Sequence, residues 1–198
     1  MRILTEREAE SFLEKNDFGV VRRAYVVDKN SLKIVLEKIG YPVVMKVSGK
    51  EIVHKNTVGG VVVGIKDFEM AEEIFKKLLK IENAEGVMIQ KQLKGEEFLL
   101  GIKKTPEFGH VIGFGAGGIH TEKLKDVSFR VYPFDKKQVR KMVSETEIGK
   151  DLGEGTLKIL EKTILKLCKL VKKYPRIREL DVNPLISGKI VDARIVFV

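Results

Sequence analysis

Two short runs of β-branched residues enclose a polar loop, and this arrangement constrains the fold more than any other feature of the sequence. The runs cover residues 43–48 and 61–66, and their density of valine and isoleucine is typical of buried strands. The loop between them contains His54, Lys55 and the pair Gly59-Gly60. Imidazole can be both nucleophile and leaving group, and glycines let backbone N–H groups approach an anion closely. The loop is therefore a candidate phosphate-handling segment; the alternative is a surface hairpin that contains a histidine.

Length and composition indicate a globular protein. The 198 residues suffice for one large domain or two small interlocked lobes, and the apolar fraction of 43% supports a core. The sequence contains no apolar run of membrane-spanning length and no signal-peptide pattern, so we expect a soluble, cytoplasmic protein. The single cysteine, Cys168, lies in an apolar helical pattern and is predicted to be core.

The net charge of +9 raises the question of a nucleic-acid partner. The lysines, however, are spread along predicted helices beside glutamates, as in residues 72–77, which is typical of a solvated helix face. The sequence has no arginine-rich tract and no interleaved aromatics. We therefore expect no nucleic-acid and no membrane partner, and a small anion such as a nucleotide fits the charge equally well.

The order of helix and strand patterns predicts two lobes. A capping box at Thr5 and Glu8 opens the first helix, and further helices are predicted from about residue 30, over 67–80 and over 156–174. Strand 86–92 precedes an antiparallel pair at 97–103 and 110–115, so the lobe boundary is predicted near 90–95. Within strand 43–48, Lys46 requires an anionic partner or a route to solvent, and both interpretations stay open.

Two later segments carry candidate phosphate and metal groups. Residues 113–118 contain four glycines but lack the strand–helix setting of a dinucleotide fingerprint, so they are interpreted as a flexible phosphate-covering loop or a simple glycine-rich turn. Glu122, Asp126 and Arg130 follow as possible metal and phosphate groups. Near the C-terminus, Asp181, Asn183 and Asp192 are oxygen donors beside predicted strand ends, as Mg²⁺ requires when substrate phosphates complete its ligands.

Five motifs in order give the sequence a family resemblance that covers residues 3–196. They are Gly-Tyr-Pro-Val-Val-Met-Lys at 40–46, His-Lys-x-x-Val-Gly-Gly at 54–60, Gly-x-Gly-x-Gly-Gly-Ile at 113–119, Lys-Asp-Val-Ser-Phe-Arg at 125–130 and Glu-Leu-Asp-Val-Asn-Pro-Leu at 179–185. Together they resemble the ATP-grasp β subunit of ADP-forming acetyl-CoA synthetase (NDP-forming acyl-CoA synthetase), a relative of succinyl-CoA synthetase.

The resemblance implies an α+β, two-lobed ATP-grasp fold with mixed or antiparallel sheets flanked by helices. We assign residues 1–90 to an N-terminal lobe bearing the histidine loop and 91–198 to a C-terminal lobe, with ATP or ADP and Mg²⁺ between them. The implied activity is that of an acid–thiol ligase: acyl-CoA + ADP + phosphate gives acid + ATP + CoA. The implied partner is a CoA-binding α subunit, in a heterotetramer.

The resemblance also implies residue roles. His54 would carry the phosphoryl group, and Lys46 would bind nucleotide phosphate. Strand 87–93, with Val87, Ile89 and Gln90, would meet adenine through its backbone edge at the hinge, and Glu97 would line the nucleotide site. The remaining implied contacts are Gly115, Gly117, Gly118 and Arg130 at the phosphates, and Asn183 and Asp192 on Mg²⁺.

Two departures from the family pattern support an alternative function. Asn56-Thr57 stands where the family usually has Ser-Asp, and no Gly-x-Arg-Gly element precedes the long helix, where Lys150 is the only cation. Lysine does not replace the bidentate fork of arginine. The alternative is a catalytically weakened nucleotide-binding or scaffolding paralogue. The roles of Glu122 and Asp126 stay open.

Overall fold

A computed structural model describes residues 1–49, 52, 55, 58–118 and 126–198 of the chain. Contacts divide these residues into a smaller unit, residues 21–93, and a larger unit, residues 1–20 with 94–198. In chain order the elements are β1 (Arg2–Ile3), α1 (Glu6–Glu14), β2 (Arg23–Val26), α2 (Lys29–Ile39), β3 (Val43–Ser48), β4 (Val61–Ile65), α3 (Phe68–Leu78), β5 (Gly86–Lys91), β6 (Glu97–Thr105), β7 (Gly109–Ala116), β8 (Val127–Val131), α4 (Lys136–Ser144), α5 (Glu147–Lys150), α6 (Glu154–Lys173), β9 (Ile177–Ile186), β10 (Lys189–Ile190) and β11 (Ala193–Phe197).

The smaller unit is an antiparallel sheet covered on one face by two helices. Among the described residues the strand order is β2-β5-β3-β4, so β5 and β3 are interior strands. Asp28 and Asp67 cap α2 and α3 by accepting hydrogen bonds from Ser31 N and Met70 N. The core packs α2 and α3 against one face of β3 and β5; it includes Leu32, Leu36, Phe75, Leu78, Val43, Met45, Val47, Val87 and Ile89.

The larger unit is a longer antiparallel sheet packed against α1, α4 and α6. In the part of the chain that the structure describes, its strand order is β1-β11-β9-β6-β7-β8, and β10 pairs with β9. Alternate residues of β6 and β7 face the helices, since side chains along a strand point to opposite faces. The core includes Leu13, Leu100, Ile102, Ile112, Phe114, Met142, Leu160, Ile164 and Leu167. No described helix is both long and apolar enough to span a bilayer.

The unit boundaries differ from the predicted lobes at the N-terminus. Residues 1–20 belong to the larger unit, although the sequence prediction assigned them to the N-terminal lobe. The physical reason is a strand pairing between residues far apart in the sequence. Arg2 and Ile3 in β1 pair with Phe197 and Val196 in β11, which belongs to the larger unit. At the other boundary the chain passes from one unit to the other between residues 93 and 94.

Candidate functional site

The glycine-rich segment is mostly strand. Residues 113–116 belong to β7, so the strand predicted over 110–115 is confirmed, whereas the loop interpretation of 113–118 is wrong for residues 113–116. Gly115 lies opposite Val127 in β8, and a Cβ atom at 115 would overlap the backbone oxygen of Asp126. Gly115 therefore allows β8 to pack closely, and the chain leaves the strand only at Gly117.

Gly117 and Gly118 lie against two residues of other strands. Gly117 N donates to the backbone oxygen of Glu97 (2.7 Å), and Gly118 N donates to Oδ1 of Asn183 (2.7 Å). Gly118 has a φ of +76°, and a Cβ there would overlap Oε2 of Glu97. The structure thus brings four sequence-predicted site residues together, from β6, the end of β7 and β9.

Asn183 lies within β9, and Asp192 directly precedes β11 beside it. Asn183 N donates to the backbone oxygen of Asp192 (3.2 Å). Their amide and carboxylate oxygens are the donor type that Mg²⁺ prefers. No group of three or more His, Cys, Asp or Glu residues in the described segments could enclose a metal. The assignment of Asn183 and Asp192 to Mg²⁺ therefore stays a prediction.

Asp181 lies two residues before Asn183 on the same face of β9. Its Oδ1 is 3.9 Å from the position of a Cβ on Gly101. Although the residue is exposed, the surrounding sheet partly desolvates its carboxyl group, which raises the pKa of Asp181; Arg194 opposes this shift. The alternation of polar residues at 179, 181 and 183 is the sequence signal for this row of oxygen donors.

Lys46 lies in the centre of β3, on the sheet face opposite α2 and α3. It is 5% exposed, and its register partners are Met88 and Val61. Such burial leaves the side chain little access to solvent, which argues against the interpretation that Lys46 extends its ammonium group into solvent. Gln90, fully buried, lies on the same face by strand alternation.

The predicted adenine contact does not fit residues 87–90. Strand β5 pairs with β2 on one edge and with β3 on the other, so this stretch offers no unpaired backbone edge. The side chains of Val87 and Ile89 belong to the helix-side core. These two residues therefore stabilise the sheet, and Gln90 stays a candidate only through its side chain.

Arg130 takes part in an ion-pair cluster. Its guanidinium donates to Oε2 of Glu145 (2.7 Å), to Oγ of Ser128 (3.2 Å) and to the backbone oxygen of Phe129 (2.8 Å). Arg130 and Ser128 together lower the pKa of Glu145 by hydrogen bonding to its carboxylate. The sequence analysis missed Glu145, and no local pattern links it to residue 130. The contact of Arg130 with phosphate stays a prediction.

Asp126 caps the short helix α5. Its two carboxylate oxygens accept hydrogen bonds from Glu147 N (2.7 Å) and Ile148 N (2.9 Å). In that helix Lys150 pairs with Glu147 at 2.5 Å, which raises the pKa of Lys150. The structure thus gives Asp126 a structural role. His54 and Glu122 lie outside the described residues.

Comparisons with known proteins agree with this architecture. A family model described as an ATP-grasp domain matches residues 1–197. ADP-forming acetate–CoA ligase II from Archaeoglobus fulgidus is 38% identical over 205 residues, which cover 98% of this chain and 30% of that protein. The β subunit of ADP-forming acetate–CoA ligase I from Pyrococcus furiosus is 36% identical over 217 residues, covering 98% of this chain and 92% of the subunit. The chain thus spans less than a third of the first relative and nearly all of the second.

Solved structures show the same fold. Dinucleotide-forming acetyl-coenzyme A synthetase 1 from Ca. Korarchaeum cryptofilum, in complex with coenzyme A, Ca-AMPCP and HgCl⁺, matches with a TM-score of 0.90 and 28% identity over 100% of this chain and 94% of that chain. A second structure of that synthetase, with Mg-AMPPCP and a phosphohistidine segment directed towards the nucleotide site, has a TM-score of 0.83 and 29% identity over 99% and 93% of the two chains. The chain belongs to the ATP-grasp family and, within it, to the β subunits of ADP-forming acetate–CoA ligases.

Proposed function

We propose that this chain is the nucleotide-binding subunit of an ADP-forming acyl-CoA synthetase, which converts acyl-CoA, ADP and phosphate into acid, ATP and CoA. The observation that carries the proposal is the arrangement of Gly118 N, Asn183 Oδ1 and the Glu97 carboxylate at one place in the larger unit. The amide oxygen of Asn183 and the carboxylate of Glu97 are hard oxygen donors, and they suit a nucleotide that brings Mg²⁺ with it. Related structures that hold Ca-AMPCP and Mg-AMPPCP support the same ligand class.

The proposed roles follow the chemistry of each side chain. Lys46 binds a phosphate oxygen as a point charge, and Glu97 lines the nucleotide site. Gly117 and Gly118, which have no side chains, cover the phosphates. Asn183 and Asp192 hold Mg²⁺, which offsets the charge that develops on the phosphate oxygens. Gln90 and Arg130 stay candidate nucleotide contacts.

His54 is the proposed phosphoryl carrier. A neutral imidazole nitrogen forms a bond to phosphorus as the bond from phosphorus to the donor group breaks. A β-phosphate oxygen of ADP then attacks phosphorus, the N–P bond breaks, and the imidazole is regenerated. A relative's structure is described with a phosphohistidine segment, which supports this type of relay.

The proposed partner is a CoA-binding α subunit. A relative that this chain matches over 92% of its length is called a β subunit, and a longer single-chain relative has room for a second functional part. We propose a cytoplasmic heterotetramer of two such pairs.

Labelled phosphate tests the relay. The α–β complex is incubated with acetyl-CoA and ³²P-phosphate, and the separated β chain is examined for acid-labile, base-stable label. We expect label on the wild-type chain and on His110→Ala, whose ring lies 2.9 Å from the backbone oxygen of Ile177 in the sheet, but none on His54→Ala. Equal label on His54→Ala would refute the histidine assignment.

Calorimetry, together with a turnover assay, distinguishes the proposed function from the alternative of a catalytically weakened paralogue. The observation that favours it is that residues 148–155 lack the arginine of a Gly-x-Arg-Gly element and that their only cation, Lys150, is paired with Glu147. Tight binding of Mg-ADP by the chain, together with no turnover in the α–β complex, would support this alternative. Turnover with acetyl-CoA or another acyl-CoA would exclude it.

A further inference from the structure

A cavity of about 260 Å³ lies in the larger unit, apart from the Gly118–Asn183 site. Three segments line it: one face of α6, the chain that follows α1, and the turn between β9 and β10. The lining residues that matter here are Ile159, Lys162 and Lys166 of α6, Phe18 and Gly19, and Gly188 of the turn.

Local sequence creates this space. Ile159, Lys162 and Lys166 lie three and four residues apart and therefore share one helix face. The turn has positive φ angles at Ser187 (48°) and Gly188 (73°), as a two-residue hairpin turn requires. A Cβ at Gly188 would lie 2.7 Å from Cγ2 of Ile159. A larger residue at 188 would thus crowd the floor of the cavity.

The cavity carries uncompensated positive charge. None of its lining residues is acidic, and Lys162 forms no ion pair with any described residue. Lys166 donates to the backbone oxygen of Asp17 and lies 5.8 Å from the ring centroid of Phe18, so its ammonium is oriented without being neutralised. A third cation is close, because Nζ of Lys189 lies 3.4 Å from the position of a Cβ on Gly19.

Elsewhere on α6, the carboxylates of Glu154 and Glu161 form ion pairs. Glu161, on an adjacent face, pairs with Lys136 (2.7 Å) and Arg140 (2.8 Å), and Glu154 also pairs with Arg140 (2.9 Å). Carboxylates of this helix are thus compensated by cations of α4 and its surroundings, whereas lysines at the cavity meet no carboxylate from the described residues. Like charges four residues apart on a helix repel, and a bound anion would relieve this repulsion.

We propose that this cavity binds a small anion with two or more negative charges, of the phosphorylated or polycarboxylate class. Its charged groups contact Lys162 and Lys166, and its apolar part lies against Ile159. The volume of about 260 Å³ accommodates a small anion of this class. The proposal does not depend on the phosphoryl-transfer reaction, because none of the proposed catalytic or nucleotide-binding residues lines the cavity.

Nuclear magnetic resonance of the full ¹⁵N-labelled chain can test the site residue by residue. Pyrophosphate and citrate are titrated as probes at low salt. We expect saturable shifts of the amides of Gly19, Thr163 and Gly188, which line the cavity. Shifts at Gly117 and Gly118 report separately on the nucleotide site.

Two matched double variants test whether Lys162 and Lys166 bind the anion. Lys162→Gln with Lys166→Gln should weaken the cavity shifts at least tenfold. Lys169→Gln with Lys172→Gln removes the same charge from exposed positions of α6 outside the cavity and should change the affinity less than twofold. If the double variant fails to fold, Lys162→Gln alone replaces it in the affinity comparison, because this change breaks no ion pair with a described residue.

The proposal is overturned if neither probe shifts the three cavity amides in a saturable manner, or if both double variants bind equally. Binding of an acidic peptide such as hexaglutamate, without binding of either small anion, would also overturn it in favour of a protein-docking surface.

Discussion

Oδ1 of Asn183 accepts a 2.7 Å hydrogen bond from the backbone N–H of Gly118. The bond connects the predicted metal ligand to the predicted phosphate-binding backbone across 65 positions of sequence. An amide oxygen has two lone pairs, so Oδ1 can accept from Gly118 N and still have a lone pair for a cation. The hydrogen bond thereby fixes which end of the amide faces the site.

We expect Gly118→Ala to weaken Mg-ADP binding about tenfold or more. Alanine at a φ of +76° costs roughly 1 kcal/mol, and its Cβ would overlap Oε2 of Glu97. Either the Glu97 carboxylate moves and changes the lining of the nucleotide site, or the backbone moves and the contact with Asn183 changes with it. Isothermal calorimetry measures the affinity.

Gly109→Ala is the matched control. Gly109 has a similar φ of +67°, but no heavy atom lies within 4 Å of the added Cβ. Both variants should lose similar stability in urea, while Gly109→Ala keeps wild-type affinity. Equal affinity of the two variants would show that the Gly118–Glu97 contact does not shape the nucleotide site.

Asn183→Ala tests the metal assignment. Removing the proposed ligand should weaken ADP binding about tenfold in the presence of Mg²⁺ and little in the presence of EDTA, since the lost contact acts through the cation. The lost hydrogen bond to Gly118 should cost about 1 kcal/mol of stability, measured by urea unfolding without metal. An equal loss of affinity with and without Mg²⁺ would indicate a structural role for Asn183 instead.

The ion pair of Glu145 predicts a pH-dependent stability. Hydrogen bonds from Arg130 and then Ser128 lower the pKa of Glu145 below 4.5, so the folded protein favours the carboxylate. This contribution is fully present above the unfolded pKa of about 4.5 and is lost as the pH falls through the lower folded pKa. Urea unfolding should show Glu145→Gln less stable than wild type at about pH 7, with the difference shrinking at about pH 3.

Glu107→Gln is the control for this ion pair, because Glu107 is exposed and pairs with no described residue. Its stability should follow the wild type at both pH values. A Glu145→Gln deficit that does not change with pH would contradict the proposed origin in the carboxylate.

Cys168 should react slowly in the folded chain. Burial raises the pKa of its thiol to about 11, and the residue is 8% exposed. At about pH 8 the thiolate fraction is then of the order of 0.1%. Ellman's reagent should label the native chain slowly and label it completely in guanidinium chloride, with Cys168→Ala as the blank. Rapid labelling of the native chain would show that this region opens readily.

The local features of the fold follow from the sequence because they depend on neighbouring residues. The capping box at the start of α1 forms as predicted, with Thr5 N donating to Oε2 of Glu8 (2.8 Å) and Glu8 N donating to Oγ1 of Thr5 (3.3 Å). The antiparallel pairing of β6 with β7 was also predicted, although both strands are longer than expected.

The features that the sequence did not reveal depend on distant contacts. The competing loop interpretation of residues 113–118 rested on glycine content, which does not indicate that β6 and β8 pair with β7 on its two edges. The partner of Arg130, Glu145, lies 15 positions away, directly after α4. Both edges of β5 are covered by strands that come much earlier in the sequence, β2 and β3. The family resemblance supplied the order of the site residues, and the structure supplied the hydrogen bonds that join some of them.

The pairing of β1 with β11 affects the order in which the two units can fold during translation. Arg2 lies opposite Phe197, so this edge of the larger sheet cannot form until Phe197 has been synthesised. All strands of the smaller unit, by contrast, emerge within residues 23–91. Contacts close in sequence form sooner than distant ones, so during translation residues 21–93 can acquire their native structure while the first twenty residues still lack their partners.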